Sequence, residues 1–266
     1  MDTENLINTA SKVMEIFPDV YQDGLQPTLK ESSKIVARIP RAINAALAGI
    51  DIWIAKREYK VDETKKLLAI KLENISPDNI VPPEPYVVVP AFQAISYSMD
   101  SDKLREMYAN LLAKAMIIDE KDKVHPGFVE IIKQMSPIDA ENLVFFRSGE
   151  SLSVAEYRMK NKHGRYITML RNVFLTNHNQ KDILSQATSL SVLEHLGLIK
   201  IEYDSYLSSD VLYKPYEETD YYKNLLSSVQ SAPINEQEDS SILKPTIQKG
   251  MTYATPYGMG FISVCL

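Results

Sequence analysis

Four of the ten residues in VPPEPYVVVP (81–90) are proline, and no long regular helix is expected to pass through such a run. Each proline fixes its own φ, gives up a backbone donor and biases the residue before it away from the helical region. The run predicts an extended connector over 81–90 with helices on either side. Scarce glycine favours helix elsewhere: 9 of 266 residues, about half the usual share of roughly 7%. Glycine-rich phosphate cradles and folds built from many tight loops are poor fits. A single cysteine, Cys265, excludes an internal disulfide framework and Cys-rich metal sites, and its apolar neighbours make it a buried, inert thiol.

Apolar periodicity supplies the helices. Ile35, Ile39, Ile43, Leu47, Ile50 and Ile54 recur every three or four residues, with Pro40 restarting the helix in its permitted first-turn position. Asp62 is expected to cap VDETKKLLAIKLENI, and Asp100 to cap DKLREMYANLLAKAMII. HPGFVEIIKQM continues the pattern to about Met135. Ser136-Pro137-Ile138-Asp139 then has the side chains of a capping box, with Asp in place of the usual Glu.

Beyond Ser136 the patterning changes. SLSVAEYRM alternates in part like a strand, with a helix as the alternative, residues 182–196 read as a helix stopped by Gly197, and LIKIEY reads as a strand. MTYATPYGMGFISVCL reads as a strand followed by a helix capped by Thr255 and opened by Pro256. Between Tyr203 and Gly250 lie a helix around Thr219–Val229 and a polar stretch, APINEQEDSS, expected to be mobile. The predicted fold is mainly α: an N-terminal helical domain over 1–135, then a C-terminal winged-helix-like α+β domain over 136–266 with an insertion at about 204–249.

The formal net charge of -6 hides local bias. Residues 30–71 hold ten Lys/Arg against five Asp/Glu. Residues 147–171 hold Arg147, Arg158, Lys160, Lys162, Arg165 and Arg171 against Glu150 and Glu156, while acid gathers at 202–220. The N-terminal MDTENLINTASKV lacks the basic start and apolar core of a secretory signal, and no run reaches about 18 apolar residues. The expectation is a cytoplasmic protein, with peripheral contact at the inner membrane left open.

Catalytic patterns are missing. There is no GxxxxGK, no GxGxxG after a strand, and no HxH or HExxH among His125, His163, His178 and His195. Neither a catalytic residue, a cofactor nor a metal is predicted, and the chain is read as non-enzymatic. Two contact surfaces are predicted instead. Ile35, Arg38, Ile39, Arg41, Ile43, Leu47, Ile50, Trp53 and Ile54 form an apolar stripe with basic flanks, suited to a membrane interface or a partner, or to simple packing in a bundle. Arg158, Lys160, Lys162, Arg165 and Arg171 could meet phosphates beside the winged helix. Against DNA reading, the segment KDILSQATSLSVLEHL carries one cation, Lys181, although Gln180 and Gln186 keep it open.

Three blocks carry a family resemblance: IPRAINAALAGIDIWIAKREYKVDETKKLL (39–68), PEPYVVVPAFQAISYSMDSDKLREMYANLLAKAM (83–116) and VHPGFVEIIKQMSPIDA (124–140). They resemble the bacterial abortive-infection alpha (Abi-alpha) proteins, also described as a domain of unknown function, over roughly residues 25–200. The LEHLGLI and TPYG segments fit the same pattern. The resemblance implies phage defence and brings no catalytic residue set. It also implies that Lys162-His163-Gly164-Arg165, standing where relatives have a glycine-rich turn, is less flexible and more basic. The expected function is therefore a non-enzymatic abortive-infection protein acting through protein contact or membrane perturbation. Its expected partner is an unidentified protein or phage component, with a homo-oligomer left open. The alternative is a winged-helix DNA-binding regulator.

Overall fold

In the computed structural model, which describes residues 58–95, 101–230 and 243–266, the proline run is part connector and part helix. Residues 81–84 are irregular, but α2 (Pro85–Ile95) begins inside the run. Pro85 takes the first helical position, where a missing N–H costs nothing, and the amides of Val87 and Val88 both donate to the Glu84 carbonyl at 3.0 Å. Pro90 sits within α2; burial of Val87, Val88, Ala91, Phe92, Ala94 and Ile95 offsets the bond it forfeits. The expected connector over 81–90 is thus shorter than its prolines suggest.

Two compact units divide the chain, one running up to Lys133 and including Cys265, the other Gln134–Val264 with Leu266. In the first, α1 (Glu58–Leu72) and α2 pack on α3 (Asp102–Ala115). Thr64, Leu68 and Leu72 form a fully buried stripe on α1, and Met107, Tyr108, Leu111 and Leu112 are its counterpart on α3. Lys71 pairs with Glu106 between these helices. Two expected caps move. Asp62 lies inside α1, and α3 is capped by Ser101, whose hydroxyl accepts from the Leu104 amide; Asp100 is outside the described residues. α4 (Gly127–Gln134) buries Phe128, Val129, Ile131 and Ile132.

The second unit opens with α5 (Pro137–Leu143). Its capping box closes as expected, with the Asp139 carboxylate accepting from the Ser136 amide at 2.6 Å and hydroxyl at 2.8 Å. The hairpin strands β1 (Leu152–Lys160) and β2 (Tyr166–Val173) follow, then α6 (Ile183–His195) and β3 (Ile199–Glu202). α7 (Lys214–Glu217) and α8 (Asp220–Gln230) lie in the insertion before β4 (Lys244–Ala254) and α9 (Pro256–Cys265). APINEQEDSS lies outside the described residues.

These strands form one antiparallel, curled sheet in the order β2-β1-β4-β3. The expectation of a mainly α chain ending in a winged-helix-like domain is therefore corrected: the protein is mixed α/β. The long β1–β2 hairpin joins β4 in the sheet, so β4 is an interior strand rather than one arm of a wing. β2 escaped detection because its first four residues are all exposed, leaving no apolar alternation to read.

Tyrosines fasten the insertion to the sheet. Tyr157 on β1 donates to the Tyr216 carbonyl at 2.7 Å, Tyr216 to the Ser153 carbonyl at 2.8 Å, and Tyr213 to the Gly250 carbonyl at 2.7 Å. Burial pushes the Tyr157 hydroxyl up to about 12, against a lowering hydrogen bond with Thr219, and pushes Tyr216 higher. Both stay neutral donors.

At the opposite edge the two short sequence blocks interlock. Gly197 (φ 72°) ends α6 in the left-handed conformation, and the Leu198 amide reaches back to the Leu193 carbonyl at 3.0 Å. Thr255 caps α9 through the Gly258 amide at 2.9 Å and donates to the Gly197 carbonyl at 2.6 Å. A Cβ on Gly258 would stand 1.8 Å from the Leu198 carbonyl oxygen. Gly258→Ala is accordingly expected to destabilise by more than about 2 kcal/mol, because backbone must move. Gly164→Ala, in open space at φ 83°, should cost about 1 kcal/mol from the strained backbone alone. Denaturant unfolding of both variants checks the order.

Candidate functional site

Alternation fails at the centre of β1, where Val154, Ala155, Glu156 and Tyr157 are buried in succession. The β1–β2 register shifts on both sides of Tyr157, and with both faces of β1 covered here, neighbouring residues serve opposite faces. Ala155 and Tyr157 face the tyrosine cluster with Val173, Tyr213 and Tyr216. Glu156, only 2% exposed, serves a separate polar cluster.

Buried carboxylates need partners, and the hairpin supplies three. The Arg158 guanidinium grips Glu156 bidentately, Nε to Oε1 at 3.0 Å and a terminal nitrogen to Oε2 at 3.3 Å. Thr168 on β2 donates to Oε1, and Arg171 Nε lies 3.5 Å from Oε2. Burial raises the Glu156 pKa, but the hydrogen bonds from Arg158 and Thr168 and the charges of Arg158 and Arg171 outweigh it, leaving a net lowering. Arg158 also donates to Gln248 on β4 at 3.0 Å and lies 4.1 Å from the centre of the Tyr166 ring. Next to the cluster, Asn172 adopts φ 57°. Its amide donates to the Tyr203 hydroxyl at 2.9 Å, which in turn donates to the Asn172 side-chain oxygen at 3.0 Å. Burial pushes the Tyr203 hydroxyl up to about 12, so this bridge is neutral.

The hairpin gathers all five cations of the alternative surface. Arg158 and Lys160 are on β1, Lys162 and Arg165 in the turn, and Arg171 on β2. The turn is ordered by Asn161, whose side-chain oxygen accepts from the His163 and Arg165 amides at 3.0 Å each. Arg158 and Arg171 are drawn to Glu156, which leaves Lys160, Lys162 and Arg165 at the open end. There Lys160 faces Lys244 of β4 directly across the ladder. Among the described residues, Lys160, Arg165 and Lys244 have no carboxylate partner.

Sequence reasoning did not single out Glu156, Tyr166, Thr168, Lys244 or Gln248 as site residues. One signal was available: Glu156 is the lone acid between residues 151 and 181. The alternative of base reading by α6 is weakened further by Gln186, which is 2% exposed and donates inward to the Asn177 and Gln180 carbonyls. Ser189 is likewise committed, accepting from buried Asn142 at 2.9 Å. Ile35, Arg38, Ile39, Arg41, Ile43, Leu47, Ile50, Trp53 and Ile54 lie outside the described residues. Among those described, no helix is long and apolar enough to cross a membrane. Cys265 is fully buried, and burial pushes its thiol pKa well up.

Fold and site together define a mixed α/β protein with a cationic hairpin at one end of its sheet. The chain belongs to the abortive infection alpha family, whose profile matches residues 56–265. No curated protein matches it. A solved structure of an uncharacterised protein from the hydrocarbon-degrading marine bacterium Alcanivorax borkumensis SK2 is similar at 15% identity, over 52% of this chain and 90% of that one, with a TM-score of 0.34.

Because the Glu156 pKa is lowered on folding, its stabilisation is present above the ordinary value of 4.5 and is lost as pH falls through the lower folded value. Glu156→Gln should cost roughly 2 kcal/mol at neutral pH. The gap from wild type should shrink on acidification below about 4.5, as followed by urea unfolding across pH.

Proposed function

We propose that this protein acts in phage defence of the abortive-infection kind, through contact with other macromolecules and without chemistry of its own. Membership of the abortive infection alpha family carries the defence part of this reading. Contact is supported by the hairpin, where exposed Tyr166, Ile167 and Met169 stand beside Lys160, Lys162 and Arg165. Such a mixture of apolar and cationic groups on an edge strand suits a partner surface. Abortive infection requires a sensing step and a damaging output. In this proposal the C-terminal unit senses, and the stripe Ile35–Ile54 delivers the output at a protein or the inner membrane of a bacterial cell. Support for that second role is the stripe's basic flanks and Trp53 in the sequence.

Two measurements test the reading. Cells producing the wild-type chain should lower phage plaque yield, whereas Ile43→Asp and Ile50→Asp should abolish protection while the folded protein accumulates normally. In flotation at low salt, wild type should rise with anionic vesicles and these variants should stay at the bottom. Retention of wild type at the bottom would remove the membrane output and leave protein contact to explain protection.

A further inference from the structure

The open end of the β1–β2 hairpin combines two features that folding alone does not call for. Lys160 and Lys244 are paired across neighbouring strands, a like-charge pair whose side chains start about 5 Å apart and repel. Arg165 and Lys162 in the adjoining turn add charge of the same sign. Beside them Tyr166 is 51% exposed, and one face of its ring is covered by the Arg158 guanidinium at 4.1 Å. Arg158 is held in place by its bidentate grip on Glu156. The ring is therefore held by a cation on one face while half of the residue stays exposed to solvent.

We infer that this end of the hairpin binds single-stranded nucleic acid, with phosphates on Lys160, Lys162, Arg165 and Lys244 and an unstacked base on the open face of Tyr166. The inference goes beyond contact-mediated defence and rests on that reading only in naming what the C-terminal unit senses. Single strands fit because they combine a polyanionic backbone with free aromatic faces. In a duplex the bases are stacked on each other, so Tyr166 has nothing to receive. An acidic peptide would satisfy the lysines but gives no use for a ring held open by an arginine. Directly paired residues of neighbouring strands lie about 5 Å apart on one side, so Lys160 and Lys244 form a short cationic row beside Tyr166. The recognition is of shape and charge, without base-edge readout.

Fluorescence anisotropy with the full chain tests this, using labelled thymidine and uridine homopolymers of about 20 nucleotides, a duplex of equal length, and polyglutamate as competitor. Single strands should bind with micromolar affinity at about 50 mM salt, and affinity should fall as salt rises. Lys160→Gln with Lys244→Gln should flatten the logarithmic salt slope by about 1.4, roughly 0.7 per lost phosphate contact. Thermal unfolding of this double variant should show no loss of stability, since a repulsive pair has been relieved. Tyr166→Ala should weaken binding about tenfold with the slope unchanged, and Tyr166→Phe should retain it. The relative affinities of the two homopolymers separate DNA from RNA as the source. Absence of binding, equal affinity for the duplex, or competition by polyglutamate as strong as by unlabelled single strand at matched charge would overturn the proposal. So would indifference to both sets of substitutions. None of these results depends on the plaque assay, so this inference and the defence reading can fail separately.

Discussion

A buried carboxylate in the middle of a sheet is costly unless its partners are held in place around it, and Glu156 imposes that condition on the second unit. Arg158 reaches it from two residues along the same strand, Thr168 from the neighbouring strand, and Arg171 from beyond the register shift. A one-residue slip of β2 would place Thr168 and Arg171 on the wrong side and leave the carboxylate with Arg158 alone. Glu156 thus specifies the hairpin register in a way that an apolar residue could not. The same arrangement aims Arg158 at Tyr166 and Gln248, so the polar cluster also sets the geometry of the surface above it.

Because both faces of β1 are covered at its centre, one strand serves two masters. Tyr157 laces the insertion to the sheet through the Tyr216 carbonyl, while Glu156, its immediate neighbour, organises the basic hairpin. Insertions of this length normally cost closure entropy and remain loosely attached. Here three tyrosine hydroxyls reach carbonyl oxygens across the interface, and burial keeps those hydroxyls neutral. The aromatic rings supply apolar area and the hydroxyls supply direction, which explains why tyrosine rather than phenylalanine crowds the second half of the chain.

What could be read from sequence was local chemistry. The capping box at Ser136–Asp139, the stop at Gly197 and the Thr255-Pro256 helix start are each decided within a few residues, and each stands where the sequence placed it. Pro85 and Pro90 misled because burial of the α2 apolar face outweighs a local preference for extended chain. Asp62 misled because an acid that could cap a helix can equally lie inside one. The candidate site was half legible. Its cations were visible as a basic run, but Lys244 lies 84 residues from Lys160 and meets it only through the β1–β4 register. Arg171 and Glu156 likewise become neighbours only when β2 folds back.

Net charge hides the consequence of this pairing. Glu156 draws the charge of Arg158 and Arg171 inward, and Lys249 and Lys200 are tied to Asp210 and Glu202. Lysines and arginines with acid partners contribute little field beyond a Debye length of about 8 Å at physiological salt. At the open end of the hairpin lysines face each other, and no described carboxylate answers Lys160, Arg165 or Lys244. A chain of formal charge -6 repels polyanions at long range, so only a concentrated patch of this kind can hold one. Its reach is short, its strength depends on salt, and its position is fixed by a glutamate that never touches the ligand.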